Sequence, residues 1–343
     1  MRPYPFTGTP LSATTLPDGS VVHAGRQDGA EATLHLIRCV PGEPCTPSPG
    51  PIARSATTGA VQDLALAGDA GGGVLIATAV RKDDPGTGTV RNRDEDSVTE
   101  LSLTSCDDWR CARPRTVSPA ARLPYHRTGS DVQGRLAVAV APPDRPVVAW
   151  LEPASATLRV LVCDTAGCLR PKLTGHPLPA DFIGDDAVAV GAVAVAVPPD
   201  GRPVIAYQGG TGDLRLLRCR TWRCDRLDAM GLGAGLRSPS VATLVLDEGF
   251  RSRRPAVPRS PRLLVDESGR IVLAAYDEGR RALVLAICGG QVCDRTPIAR
   301  VEGRGGPLAM ALDRAGRPTV AWEEHLDGED WRLRLTTLDD PAG

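Results

Sequence analysis

Aromatic residues make up only 3% of this 343-residue chain, and lysine occurs just twice, at Lys82 and Lys172. The first shortage weakens any reading as a lectin that needs many stacking platforms. The second reads as compositional bias toward arginine rather than as a recognition device. No run of 18 or more apolar residues occurs, so no membrane span is predicted. The first ten residues, MRPYPFTGTP, lack the apolar stretch of a secretory leader. A net charge of −1 supplies no field that would draw nucleic acid or an anionic membrane. The five histidines, His23, His35, His126, His176 and His325, fall in no H-E-x-x-H pattern. There is likewise no G-x-S-x-G elbow, phosphate-binding loop or dinucleotide fingerprint.

Helical periodicity is also missing. In its place are 37 glycines and 31 prolines, spread evenly as in a chain of many short turns. Short apolar runs such as LAVAVAP from Leu136 and AVAVAVPP from Ala192 have strand length and end in Pro, Asp or Gly. The chain therefore reads as all-β.

A strand with two apolar anchors and a terminal cysteine recurs as LHLIRC, LSLTSC, LRVLVC, LRLLRC and LVLAIC. LRLTTL, from Leu333, keeps the anchors but ends in Leu338. First anchors at 34, 101, 158, 214, 283 and 333 give steps of 67, 57, 56, 69 and 50 residues. Ahead of each copy lies a turn and a fully apolar strand, as in DRPVVAW from Asp144 and GRPVIAY from Gly201. A small-residue strand precedes that one and an edge strand follows the cysteine hairpin. Such spacing predicts a six-bladed β-propeller of four-stranded antiparallel blades, forming one domain over residues 1–343. A two-sheet sandwich would be less regular, and a β-solenoid coil would be shorter. The last unit stops after three strands, so residues around Arg2 to Thr7 are expected to close the ring as its edge strand. A hairpin is then missing from that blade, which accounts for Leu338 in the cysteine position.

The ten cysteines form local pairs: Cys39/Cys45, Cys106/Cys111, Cys163/Cys168, Cys219/Cys224 and Cys288/Cys293. Four pairs are C-x4-C and the first is C-x5-C. Three uses compete: disulfides, free structural thiols, and metal or redox sites. Zinc usually gathers four ligands, and each pair here belongs to a different blade. Redox catalysis prefers C-x-x-C, which none of the pairs provides. A short hairpin loop places two cysteines within bonding range, so disulfides are expected across the outer hairpins of five of the six blades. Five even pairs point to an oxidising compartment and hence to an extracellular or cell-surface protein whose export signal is not in this chain. A cytoplasmic location is the alternative.

The composite of a D-G-x-P-V-I-A-Y strand followed by L-x-L-x-x-C-x4-C resembles repeats of secreted-type bacterial propellers grouped loosely as sialidase-like or BNR-like. The resemblance runs from Asp18 to Leu338. It implies the propeller and little chemistry, because the Asp-box S-x-D-x-G-x-x-W is absent and no arginine triad can be assigned.

In a propeller of this order, connections from strand two to three share a face with those between blades. Many of them are acidic here, including Asp83, Asp84, Asp94, Glu95, Asp96 and Asp327. Candidate ligand-binding residues on that face are His126, Asp131, Trp150, Asp186, Tyr207, Tyr276, Trp322 and Glu323. Trp150, Tyr207, Tyr276 and Trp322 end strand two in their blades and read either as blade packing or as a sugar platform. His35 is expected to face solvent. Trp109 and Trp222, inside cysteine hairpins, are expected to cover the disulfide or the neighbouring blade. Insertions at 81–97 and 247–262 break the period, and the second is rich in arginine, from Arg251 to Arg262. Long connections on a rigid scaffold are where function concentrates. The expected function is binding of a protein or glycan by a monomeric propeller. The alternative is a hydrolase or lyase with a carboxylate pair, such as Asp186 with Glu323, at the channel mouth. No cofactor is predicted, although an acidic face could hold a divalent cation.

Overall fold

The computed structural model describes residues 10–27, 33–40, 43–54, 61–82, 98–124, 136–152, 155–178, 192–208, 214–230, 261–266, 268–277, 282–289, 292–300, 304–312, 317–325 and 331–338. These form 24 strands in six antiparallel sheets. Five sheets have four or more strands, and the last, Arg304–Leu312, Pro318–His325 and Trp331–Thr337, has three among the described residues. The innermost strands are Pro10–Thr15, Val61–Gly68, Leu136–Ala141, Val193–Ala196, Arg262–Val265 and Arg304–Leu312. Each touches the next, and the sixth touches the first, so the sheets close into a ring as the blades of a propeller. The expectation that residues 2–7 supply the edge strand of blade 6 lies outside the described residues.

The uninterrupted apolar runs of strand two have a direct cause. Along Arg145–Glu152 in blade 3, Val147, Ala149 and Leu151 pack with blade 4, while Val148 and Trp150 pack with blade 2. A strand covered on both faces cannot alternate with polar residues. Each buried Val or Leu contributes roughly 1.5–3 kcal/mol, so every blade is held mainly by its neighbours.

The seams are set by one repeated level. At the second anchor of strand three stand Leu36, Leu103, Val160, Leu216, Leu285 and Leu335. Opposite them on strand two is alanine every time: Ala24, Ala77, Ala149, Ala206, Ala274 and Ala321. Innermost at this level stand Ser12, Ala65, Ala137, Ala194, Arg262 and Ala309. Polar side chains of the inner ring also bridge to the next blade. The Ser12 and Thr14 hydroxyls accept from the backbone N–H of Leu66 (3.1 Å) and Gly68 (2.9 Å). Asp63 accepts from the N–H of Leu136 at 2.8 Å, and the Arg262 Nε donates to the carbonyl of Leu308.

All five cysteine pairs are disulfides: Cys39–Cys45, Cys106–Cys111, Cys163–Cys168, Cys219–Cys224 and Cys288–Cys293. No described cysteine is free. The hairpins that carry these disulfides differ among the blades. In blades 2, 3 and 4 the second cysteine is left-handed, with φ of 50°, 47° and 52° at Cys111, Cys168 and Cys224. Its N–H bonds back to the carbonyl three residues earlier, at 3.1, 3.0 and 3.1 Å, which tightens the hairpin. These three cysteines are buried in the seam with the preceding blade.

Cys45 and Cys293 are held differently. Cys45 is exposed, because its loop has one residue more and the edge strand beyond it, Thr46–Pro47, pairs over only two residues. Cys293 lies directly opposite Cys288 inside a ladder that runs one pair further, to Gly289 and Val292. It is therefore a cross-strand bond in a continuous hairpin, and Cys293 is only half-buried against the core between blades 4 and 5.

Blade 6 has no disulfide at its cysteine position. The Leu338 N–H donates to the carbonyl of Pro318 at 2.9 Å, as Cys163 does to Pro146 and Cys219 to Pro203. Leu338 therefore occupies that position.

Trp109 and Trp222 fasten two of these hairpins to the preceding blade. Trp109 packs on the core between blades 1 and 2, with Arg38 of blade 1 at 5.6 Å from its ring centroid and Arg110 at 5.5 Å. Trp222 repeats this between blades 3 and 4, with Arg145 at 5.0 Å and Arg223 at 5.1 Å. His176 of blade 3 also meets the carbonyl of Cys224 in blade 4 at 2.8 Å.

Candidate functional site

Because strands alternate in direction, turns between strands one and two lie at the same end as the cysteine hairpins. At that end the turns carry Asp18, Asp69, Asp200 and Asp266, whose carboxylates accept backbone N–H groups two or four residues on. Asp18 and Asp200 also hold Arg38 and Arg218 of strand three, and Asp266 holds Arg270. Hydrogen bonds from Ser20 lead in holding Asp18 below the usual carboxylate range. For Asp200 and Asp266 burial acts upward, and the hydrogen bonds outweigh it, so both also lie low. This end is a set of short, cross-braced turns.

The opposite end carries the variable connections. Between blades the chain runs through residues 55–60, 125–135, 178–192, 231–261 and 301–303. From strand two to three it runs through 28–32, 83–97, 153–156, 209–213, 278–281 and 326–330. His126, Asp131 and Asp186 fall on these connections, outside the described residues, as do 83–97 and 247–260 of the two insertions.

Three of the expected aromatics are placed, and they are not on a surface. Trp150, Tyr207 and Trp322 are 5%, 2% and 7% exposed and lie in the seams between blades 2 and 3, 3 and 4, and 5 and 6. They share one register, each opposite an arginine of strand three: Arg159, Arg215 and Arg334. The indole N–H groups of Trp150 and Trp322 have no partner among the described residues. Tyr276 differs, because it pairs with the anchor Leu283 and so sits one residue beyond that register. Its equivalence with the other three, read from the sequence, is thereby corrected. Glu323 pairs with Leu333 in the backbone, and its side chain is not described. His35 is half-buried against Thr33 at 3.1 Å, rather than simply facing solvent, and burial lowers its pKa.

Other polar groups, with Glu152 among the acids of the strand two-to-three connections, lie toward the same end of the blades. Glu152 is buried at the end of strand two of blade 3, bound by Ser155 and by both Nε (3.0 Å) and Nη2 (2.8 Å) of Arg159. Asp63 accepts from the N–H groups of Leu64 and Leu136, each at 2.8 Å. Arg262 opens the inner strand of blade 5, and its alignment with Ala194 is visible only from strand register. The sequence had grouped it with the arginine-rich insertion. Among the described residues no group of three or more His, Cys, Asp or Glu could hold a metal ion. No described helix is long and apolar enough to cross a membrane.

No protein-family model matches the chain, and no curated protein matches it in sequence. Solved structures do match in fold. A sialidase from Trypanosoma rangeli aligns with 96% of the chain at 10% identity and a TM-score of 0.57. The chain spans about half (53%) of that protein. An α-L-arabinanase from Penicillium chrysogenum aligns over 98% of this chain and 94% of its own, with 14% identity and a TM-score of 0.56. A lectin from Aleuria aurantia covers 98% of both chains at 12% identity and a TM-score of 0.56. Identity this low speaks for the fold alone. The chain has the sialidase-like β-propeller fold.

Proposed function

We propose that the chain is an extracellular or cell-surface binding propeller, a single domain that takes a glycan on the face opposite its cysteine hairpins. The observation that carries this reading is the contrast between the ends. The hairpin end is short and held by five disulfides, whereas nearly all the length variation of the repeat falls at the other end. A rigid ring that varies mainly its connections on one face is built to present them. Solved structures with this fold include a lectin and two glycosidases, which supports a glycan as the ligand. Five disulfides suit an oxidising compartment.

Binding is favoured over hydrolysis by the described carboxylates of the mouth. Asp63 and Glu152 are both committed to hydrogen bonds with the scaffold. The test is a glycan-array screen of the intact chain, with parallel incubation on chromogenic α- and β-glycosides. Saturable binding without turnover supports the proposal. Release of chromophore would favour the hydrolase reading, and failure to bind any glycan would remove the ligand class.

A further inference from the structure

Blades 2 and 3 share a short sequence that the other blades lack. Beyond the second cysteine of the outer hairpin run Cys111-Ala112-Arg113-Pro114-Arg115 in blade 2 and Cys168-Leu169-Arg170-Pro171-Lys172 in blade 3. Blades 4 and 5 keep only the first cation, as Arg226 and Arg295. Arg113, Arg115, Arg170 and Lys172 are all exposed. Asp107 holds Arg115, whereas Arg113 and Arg170 have no ion-pair partner among the described residues. Lys172 acts through space on Asp225 of blade 4. Among the hairpin acids, Asp108 accepts the N–H of Cys111 and Asp228 holds Arg220, so both are engaged inside their own hairpins. Asp164 is the exposed acid of the blade 3 hairpin. The net charge of −1 supplies no overall field, so any attraction at this rim is local.

Exposed apolar side chains occur in the same place. Among the described residues only two large hydrophobic side chains are exposed, Leu169 at 82% and Leu173 at 47%, and they bracket Arg170 and Lys172. Leu173 stands opposite Leu161, which packs toward blade 2, and Val117 of blade 2 stands opposite Leu103, which packs toward blade 3. Directly opposed residues share a sheet face, so the apolar seam runs out to the surface between the two basic segments. A lone exposed leucine is ordinary, but here both fall among unpaired cations. We infer that the outer hairpin rim of blades 2 and 3 docks on an anionic lipid bilayer. Leu169 and Leu173 enter the interface, while Arg113, Arg170 and Lys172 meet the negative headgroups. Apolar insertion and headgroup attraction together give an attachment that either alone leaves marginal. An acidic peptide would need a groove to cover its own apolar side chains, and Leu169 stands on an open hairpin. The disulfides and left-handed turns fix both segments before contact, so little order is lost on docking. Attachment by this rim points the variable connections away from the bilayer, and it stands independently of the glycan reading.

The test is co-sedimentation of the intact chain with vesicles of phosphatidylglycerol and phosphatidylcholine in equal parts, and with vesicles of phosphatidylcholine alone. Poly-L-glutamate is titrated in parallel. Variants are Arg113→Gln with Arg170→Gln, Leu169→Ser with Leu173→Ser, and Arg300→Gln at the far end of the blade 5 edge strand. Every replaced side chain is exposed, so the fold should hold, and thermal unfolding checks that it does. Expected is binding to the anionic vesicles that weakens with added salt, and little binding to phosphatidylcholine. Each arginine removed should weaken it about fivefold. The leucine pair should weaken it about tenfold at low and at high salt alike, because insertion is not screened. Arg300→Gln should bind as the parent does. No vesicle binding, or equal binding to both kinds of vesicle, would overturn the inference. So would binding that the leucine variant leaves unchanged, or a loss in Arg300→Gln as large as that in the rim variants. Binding of poly-L-glutamate without binding of vesicles would assign the rim to an acidic protein and overturn it as well.

Discussion

Arg38 of blade 1 stands 5.6 Å from the ring centroid of Trp109 in the cysteine hairpin of blade 2, while its guanidinium is held by Asp18 in its own blade. One side chain thus ties a turn of one blade to the stapled hairpin of the next. Trp109→Ala should cost about 2 kcal/mol, because a half-buried indole and its cation contact are both lost. Arg38→Met should cost about 1 kcal/mol, and the double variant less than the sum, because the residues share an interaction. Urea unfolding of the four proteins in the cycle measures the coupling. Additive losses would mean that the stacking contributes nothing.

The left-handed cysteine in the hairpins of blades 2, 3 and 4 gives a second prediction. At Cys111, with φ of 50°, alanine keeps the strain of the left-handed region and glycine removes it. The pair Cys106→Ala with Cys111→Gly should be about 1 kcal/mol more stable than the double-alanine variant. Both should be less stable than the parent by roughly 2 kcal/mol, the loss expected from opening a short loop. Equal stability of the two variants would show that the turn relaxes once the disulfide is gone.

Stability should fall on acidification before any carboxylate titrates. His23, on strand two of blade 1, is pushed down to about 4 by burial. Between its unfolded value near 6.5 and about 4, the unfolded chain takes up a proton that the folded chain does not. The contribution is therefore full above that window and is lost as pH falls through it, amounting to about 2 kcal/mol once partial exposure is allowed for. Below about pH 4 the loss continues with the same sign, as Asp18, Asp200 and Asp266, held low in the fold, lose their ionic bonds on protonation. Urea midpoints between pH 7.5 and 4.5 should decline for the parent and be flatter for His23→Gln. Identical slopes would contradict the assignment to His23.

The propeller itself was legible because its physics is repeated. Anchor leucines, apolar second strands and cysteine hairpins recur at a spacing that only blades explain, and Leu338 in the cysteine position keeps the sixth copy in the series. Pairing of the cysteines was legible too, but their surroundings were not. Cys224 and Cys293 both close a C-x4-C spacing, yet one is turned into a seam and the other lies across a continuous ladder. The register within blades was equally hidden. The longer apolar run IVLAAY lets Tyr276 sit one residue beyond Tyr207, which strand pairing reveals and spacing from the turn hides. Trp150 and Trp322 end strand two like surface aromatics, yet both-sided burial of that strand turns them into the seams. Arg262 was concealed for a different reason. It follows four arginines in a proline-rich run, and nothing in its neighbours marks where the run ends and the inner strand begins.

On the function proposed above, the face opposite the cysteine hairpins holds a glycan at the channel mouth. Hydrogen–deuterium exchange with and without a saturating saccharide from the array tests it most directly. Slowed exchange is then expected at the starts of the inner strands, Val61–Asp63 and Arg262–Leu263, and in the connections beside them. Slowed exchange confined to the hairpins at Cys106–Cys111, Cys163–Cys168 and Cys219–Cys224 would place the ligand at the other end and contradict it.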